Sequence, residues 1–298
     1  MGDITLRQAL EEYKQIYMAS RNFAQRTRVE YLNDLEDLIR FLERLGLKEV
    51  RNIGLPQLER YLAELDQRGL AGTTRKRKVV SIRSFLWYLY QDQYISTNLA
   101  KRLIPPFAEV TSPRYLTKLE YERLLETASN DPRDYAIVQL LLQTGIKLSE
   151  LTRLTMNDVE FPSTILPEMT DVGYLNVLGS RSKKPRVIPL NSVACGALKK
   201  FLEGRTSIPS ATLFINRFGM PLGSRGVEKV LNKYFVKAGI LKANVQSLRH
   251  TFGIHQIAKG TEPKIVRKIM GNKDSQSTSI YVSLVYGTRS DGIQNHAL

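Results

Sequence analysis

Cysteine occurs once in the 298 residues, at Cys195, and histidine three times, at His250, His255 and His296. One thiol excludes an internal disulfide and suits a reducing compartment. Three scattered imidazoles beside it are too few for a zinc centre, so no metal site is expected. The glycine loops that cradle nucleotide phosphates are absent, as is the Gly-x-Ser-x-Gly elbow of serine hydrolases. No cofactor is expected. No apolar run is long enough to cross a bilayer, and the opening MGDITLRQAL lacks the apolar core of a signal peptide. The expectation is a cytoplasmic protein with no membrane partner.

Acidic residues are the other shortage. Asp and Glu number 29 against 44 Lys and Arg, a formal net charge of +15. Such an excess attracts polyanions, and nucleic acid is the first partner it suggests. An anionic membrane surface is the rival, but no basic amphipathic anchor supports it.

What is present reads first as helix. Leu6, Leu10, Tyr13 and Tyr17 recur at helical spacing, as do Leu32, Leu35, Ile39 and Leu42. Thr27 and Glu30 suggest a capping box ahead of the second helix. Pro56 suits the first turn of a third helix and Gly69 its end. A fourth runs from about Thr74, with Val79, Ile82, Leu86 and Leu89 on one face. Residues 1–104 are expected to form a small helical bundle.

Pro105, Pro106 and Pro113 interrupt the next stretch, and residues 105–116 read as an extended linker. Thr117 and Glu120 supply another capping box and open a mixed domain over residues 117–298. Helices are expected around Glu120–Ser129, Arg133–Thr144, Leu148–Leu154, Ser192–Leu202, Ser224–Ala238, Ser247–Ala258, Pro263–Met270 and Thr278–Leu284. Gly173–Leu178 and Arg186–Leu190 read as a β-hairpin. The fold class is therefore mainly α with a small β-hairpin in the second domain.

Two basic clusters stand out. Arg75, Lys76, Arg77 and Lys78 open the fourth helix, where cations oppose the helix dipole unless a phosphate sits beside them. The run reads as a DNA contact, against a solvated helix face as the bland alternative. Arg181, Lys183, Lys184 and Arg186 crowd the hairpin tip. They fit either a basic finger on DNA or charges that protect a sheet edge.

The last third is more specific. Between Gln246 and Leu284, the segment QSLRHTFGIHQIAKGTEPKIVRKIMGNKDSQSTSIYVSL resembles the signature of the tyrosine recombinase (phage integrase) family, of the Xer type. Leu248, Arg249, His250, Thr251 and Phe252 match its first block, Gly271 its second, and Thr278 with Tyr281 its third. Upstream, TGIKLSEL from Thr144 and KPRVIPL from Lys184 are similar to two further family blocks, and the helices of the first third look like the family's core-binding domain.

The resemblance implies a two-domain clamp on duplex DNA and four protomers assembled across two sites. It implies attack by a tyrosine on the scissile phosphate, giving a 3′-phosphotyrosyl bond and a free 5′-hydroxyl, without metal or ATP. Tyr281 takes the place of the nucleophile, Arg249 that of a phosphate-clamping arginine and Glu150 that of the family's acidic residue. His250 is expected to support the phosphate pocket, and Lys183 or Lys184 to supply the hairpin lysine. The apolar residues Val282, Leu284 and Val285 are expected to help dock the chain's end on a neighbouring subunit.

Three positions depart from the pattern. Lys147 stands where the family has its first arginine, Gln246 where it has its first histidine, and Asn272 where it has a second histidine or a tryptophan. Lysine loses the planar two-pronged grip on phosphate, and an amide cannot serve as a base near neutral pH. Two readings follow. The chain is a site-specific recombinase, or it is a DNA-binding member with impaired chemistry that partners an active recombinase.

Overall fold

The structure, a computed structural model, describes residues 4–107, 112–162, 173–179, 184–205 and 211–287. The chain divides into two compact units, residues 1–111 and 112–298.

The first unit is helical. Helix α1 (Leu6–Glu12) starts at Thr5, whose hydroxyl accepts the Gln8 N–H at 3.2 Å. It continues through a π-helical turn (Tyr13–Tyr17) into α2 (Met18–Ser20). The long helices are α3 (Gln25–Arg44), α4 (Leu55–Gln67) and α5 (Gly72–Gln91), with a short α6 (Leu99–Arg102) that periodicity did not reveal. Leu35, Leu38 and Leu42 of α3 bury with Leu58, Tyr61 and Leu65 of α4 and Ile82, Phe85 and Leu89 of α5. Pro56 lies in the first turn of α4, and Gly69 follows its end with φ +70°. The Thr27–Glu30 capping box does not form. Helix α3 begins earlier, after Ala24, because Arg28 Nε holds the Phe23 carbonyl at 3.1 Å and Phe23 packs against Tyr31.

The second unit opens where Leu116, fully buried, donates its N–H to Thr251 Oγ1 at 2.8 Å. The Thr117–Glu120 capping box forms and starts α7 (Lys118–Ala128). Helix α8 (Pro132–Thr144) is the central post, with Ala136, Ile137, Val138, Leu140 and Leu141 all buried. Helix α9 (Leu148–Leu151) stops short of Leu154, because the Leu154 carbonyl accepts the Leu213 N–H at 2.8 Å.

Strands β1 (Val159–Glu160), β2 (Gly173–Val177) and β3 (Arg186–Leu190) form an antiparallel sheet in that order, with Val177 opposite Arg186. Two-residue β1 is too short to show alternation in sequence. Leu175, Val177, Ile188 and Leu190 face the core beside α10 (Ser192–Glu203). Then follow α11 (Ser224–Lys237), α12 (Val245–Ala258), α13 (Pro263–Met270) and α14 (Gln276–Tyr286).

Helix α14 packs on α12 and α13 through a cluster of Phe252, Ile257, Val266, Met270 and Tyr281. Val282, Leu284 and Val285 are half-buried against that cluster. No helix among the described residues is long and apolar enough to cross a membrane.

Candidate active site

Asn244 caps α12 by accepting the Ser247 N–H at 3.0 Å, and the helix then turns Leu248, Arg249 and Phe252 inward. Arg249 is only 3% exposed. Its guanidinium donates to the Gly145 carbonyl, to the Met270 carbonyl at 2.7 Å and to Asn272 Oδ1 at 2.6 Å. Both carbonyls stand at helix C-termini, where the partial negative charge of α8 and α13 favours a cation. Those helices end there because Gly145 and Gly271 adopt left-handed φ of +59° and +62°. Burial lowers the Arg249 pKa to about 10, with the Glu150 charge acting the other way. The side chain stays charged at neutral pH.

His250, the next residue, reaches α14. Its Nδ1 lies 2.9 Å from Tyr281 Oη, with the two rings edge to face at 5.7 Å. Tyr281 is 2% exposed, and burial raises its pKa against the lowering effect of Arg249. Burial, then the Arg249 charge, lowers that of His250, which favours a neutral imidazole. The Tyr281 ring lies on Gly253, where an added Cβ would come within 2.5 Å of it. A glycine inside a helical pattern was the available signal for this contact. The hydroxyl of Thr278, one turn before Tyr281, is buried with no hydrogen-bond partner among the described residues.

Arg186 was expected on DNA. It instead lies inside the unit, giving Nη1 and Nη2 to Glu150 at 2.9 and 2.8 Å and Nε to the Ile269 carbonyl at 2.7 Å. A buried guanidinium beside a carboxylate is held by that partner, so Arg186 braces β3 against α9 and α13. Gly271 leaves room for it, since a Cβ there would lie 2.9 Å from the guanidinium carbon. Burial pushes the Glu150 carboxyl up, but the Arg186 hydrogen bonds and the Lys147 N–H outweigh it and hold it below the ordinary range.

Lys147 is half-buried at the start of α9, where its N–H donates to Glu150 at 2.9 Å. It lines a cavity of about 300 Å³ with Ser149, Glu150, Arg153 and Asp158. Asn272 is engaged by Arg249, whereas Gln246 is exposed in the first turn of α12. Lys184 is exposed ahead of β3. Arg181 and Lys183 lie outside the described residues.

The basic run in α5 is largely paired within the unit. Arg75 pairs with Asp66, Arg77 with Asp34 at 2.5 Å and Glu30 at 3.3 Å, and Lys78 with Asp37 at 2.8 Å and Asp34 at 3.3 Å. Lys78 is 7% exposed. These three cations are neutralised by carboxylates of α3 and α4, and only Lys76 of the four is exposed. The penalty for cations at a helix start is therefore offset within the unit, without a phosphate.

Residues 114–287 match the phage integrase family, and residues 10–93 match the phage integrase N-terminal SAM-like domain. The chain belongs to the phage integrase family. It is similar to tyrosine recombinase XerC of Bacillus subtilis (strain 168), 31% identical over 91% of this chain and 88% of the relative. It is also similar to XerC of Lacticaseibacillus casei (strain BL23), 28% identical over 92% of each. A lambda integrase dimer bound to a COC′ core site matches with TM-score 0.75 at 17% identity, covering 100% of this chain and 81% of that one. The Tn1549 transposon integrase in complex with circular intermediate DNA gives 0.72 at 20%, covering 93% and 95%. At those identities the two structures share this fold, mainly helical with a small antiparallel sheet. By family, this integrase-type chain is a tyrosine-class DNA strand transferase.

Proposed function

We propose that this chain is a site-specific DNA recombinase that cuts and rejoins duplex DNA with Tyr281 as nucleophile. The observation that carries the reading is the meeting of a buried cation, a phenol and an imidazole from α12 and α14, with His250 Nδ1 2.9 Å from Tyr281 Oη. Arg249 and Lys147 would meet the nonbridging phosphate oxygens, and Lys184 or Lys183 the leaving group. Asn272, its Oδ1 held by Arg249, would offer its amide N–H groups to the same phosphate. Residues 1–104 would act as the core-binding domain, 105–116 as linker and 117–298 as catalytic domain. Assembly would be a homotetramer on paired sites, with or without a partner recombinase. The net charge of +15 supports the DNA half of this reading.

The test needs a DNA site. A duplex enriched from a randomised pool by binding to the full chain, then nicked at successive positions, would trap a covalent intermediate as the short strand diffuses away. Wild type should yield a protein–DNA adduct and Tyr281→Phe none, at nearly equal DNA affinity. Wild-type binding with no adduct would instead indicate the DNA-binding partner without chemistry.

A further inference from the structure

Attack by Tyr281 requires a group that removes the phenolic proton. Gln246, at the position of the family's first histidine, is an amide and has no such capacity near neutral pH. One helical turn further along the same face of α12 stands His250. Its ring already reaches the nucleophile, Nδ1 to Oη at 2.9 Å, within the range for direct proton transfer. The tyrosine ring is held in place by Gly253 beneath it and by the apolar cluster of Phe252, Ile257 and Met270.

We propose that His250 is the general base of strand cleavage, its Nδ1 taking the Tyr281 proton as Oη closes on the scissile phosphorus. The proposal rests on the reading of Tyr281 as nucleophile. In the step, the Tyr281 Oη–P bond forms and the bond from phosphorus to the DNA 5′-oxygen breaks. The phenolic proton passes to the imidazole, and the departing oxygen takes a proton from a pocket lysine or from water. On rejoining, a DNA 5′-hydroxyl attacks phosphorus and gives its proton back to the lysine or to water, the P–Oη bond breaks, and the imidazolium returns its proton to the phenolate.

The protonation states suit this direction. Burial and the neighbouring Arg249 charge favour a neutral ring able to accept, with its own proton on Nε2. Arg249 lies beside the phenol and stabilises the negative charge that grows on Oη. The competing role is passive, with Nδ1–H donating to Oη and only orienting it.

The experiment uses the full chain and the nicked duplex described above. His250→Ala should slow adduct formation about a hundredfold or more, with DNA affinity and melting temperature retained. His250→Asn should be as slow, since an amide can hold the phenol but cannot take its proton. Placing 3,5-difluorotyrosine at position 281, a more acidic phenol, should shrink the gap between wild type and either His250 variant. If His250→Ala loses its cooperative melt, His250→Asn carries the same comparison.

Wild-type rates in His250→Ala or His250→Asn, or a gap that the fluorinated phenol leaves unchanged, would overturn the base assignment. With Tyr281→Phe inactive, such results would leave the nucleophile reading standing. No adduct from wild type, or one that persists in Tyr281→Phe, would remove both.

Discussion

Arg186 meets both carboxylate oxygens of Glu150, at 2.9 and 2.8 Å, and its third donor group holds the carbonyl that closes α13. The pair thus joins β3 to α9 and to the C-terminal end of α13, which also offers a carbonyl to Arg249. Removing one partner leaves a buried charge alone, which typically costs about 3–5 kcal/mol. Glu150→Gln and Arg186→Met should each lower the melting temperature of the second unit by about 10 °C. The double variant should recover part of that loss. Because Glu150 is held below its ordinary value of 4.5, its contribution is complete above that pH and fades as pH falls below it. Melting of Glu150→Gln across pH 3–7 should therefore converge on wild type at the acid end.

Position 246 offers a test of how the proton acceptor is placed. Gln246→His in the wild-type background should change cleavage little, because His250 already contacts the phenol. In His250→Ala the same change should restore part of the lost rate, measured as adduct formed per minute. Lys147→Arg should raise cleavage by giving the phosphate two parallel hydrogen bonds. Its effect should not add to that of Asn272→His, since in the proposed mechanism both groups and Arg249 act on one phosphate.

Within α5, the four basic residues should behave differently from one another. Lys76→Ala should weaken DNA binding and reduce the slope of log K against log salt by about 0.9, if that side chain neutralises one phosphate. Lys78→Ala should instead destabilise the helical unit, by about 1–3 kcal/mol, by removing the buried cation that Asp34 and Asp37 share, while Arg77 and Arg68 still pair with them. Thermal melts and salt-titrated binding isotherms separate the two. Equal salt slopes for wild type and Lys76→Ala would remove Lys76 from the DNA contact.

Gly253→Ala should act on Tyr281, the proposed nucleophile. A Cβ at that position would stand 2.5 Å from the Tyr281 ring, so the ring has to move. A shift of about 1 Å at a reacting atom can cost on the order of a hundredfold. Adduct formation should drop by roughly that factor while the dissociation constant for DNA stays near wild type. A rate unchanged from wild type would mean that the Tyr281 ring reacts from some other position.

Sequence order alone determined what a few neighbouring residues can decide. Thr117 and Glu120 close their capping box within four positions, Gly69 ends its helix, and β2 and β3 alternate cleanly enough to be read as a hairpin. The spaced block from Arg249 to Tyr281 was likewise legible, because its residue types and intervals are written along the chain. Which charges are neutralised was decided only in three dimensions. Arg77 meets Asp34 from 43 positions away, and Arg186 meets Glu150 from 36, so two groups that look available to DNA are occupied by protein. Asn272 looks like a lost phosphate ligand in sequence, yet in the fold it accepts from Arg249. His250 reads in sequence as support for the phosphate pocket, and 31 positions of chain fold back to set Tyr281 against its ring. Local hydrogen bonds depend on spacing, whereas the pairing of a buried charge depends on which helices close over it.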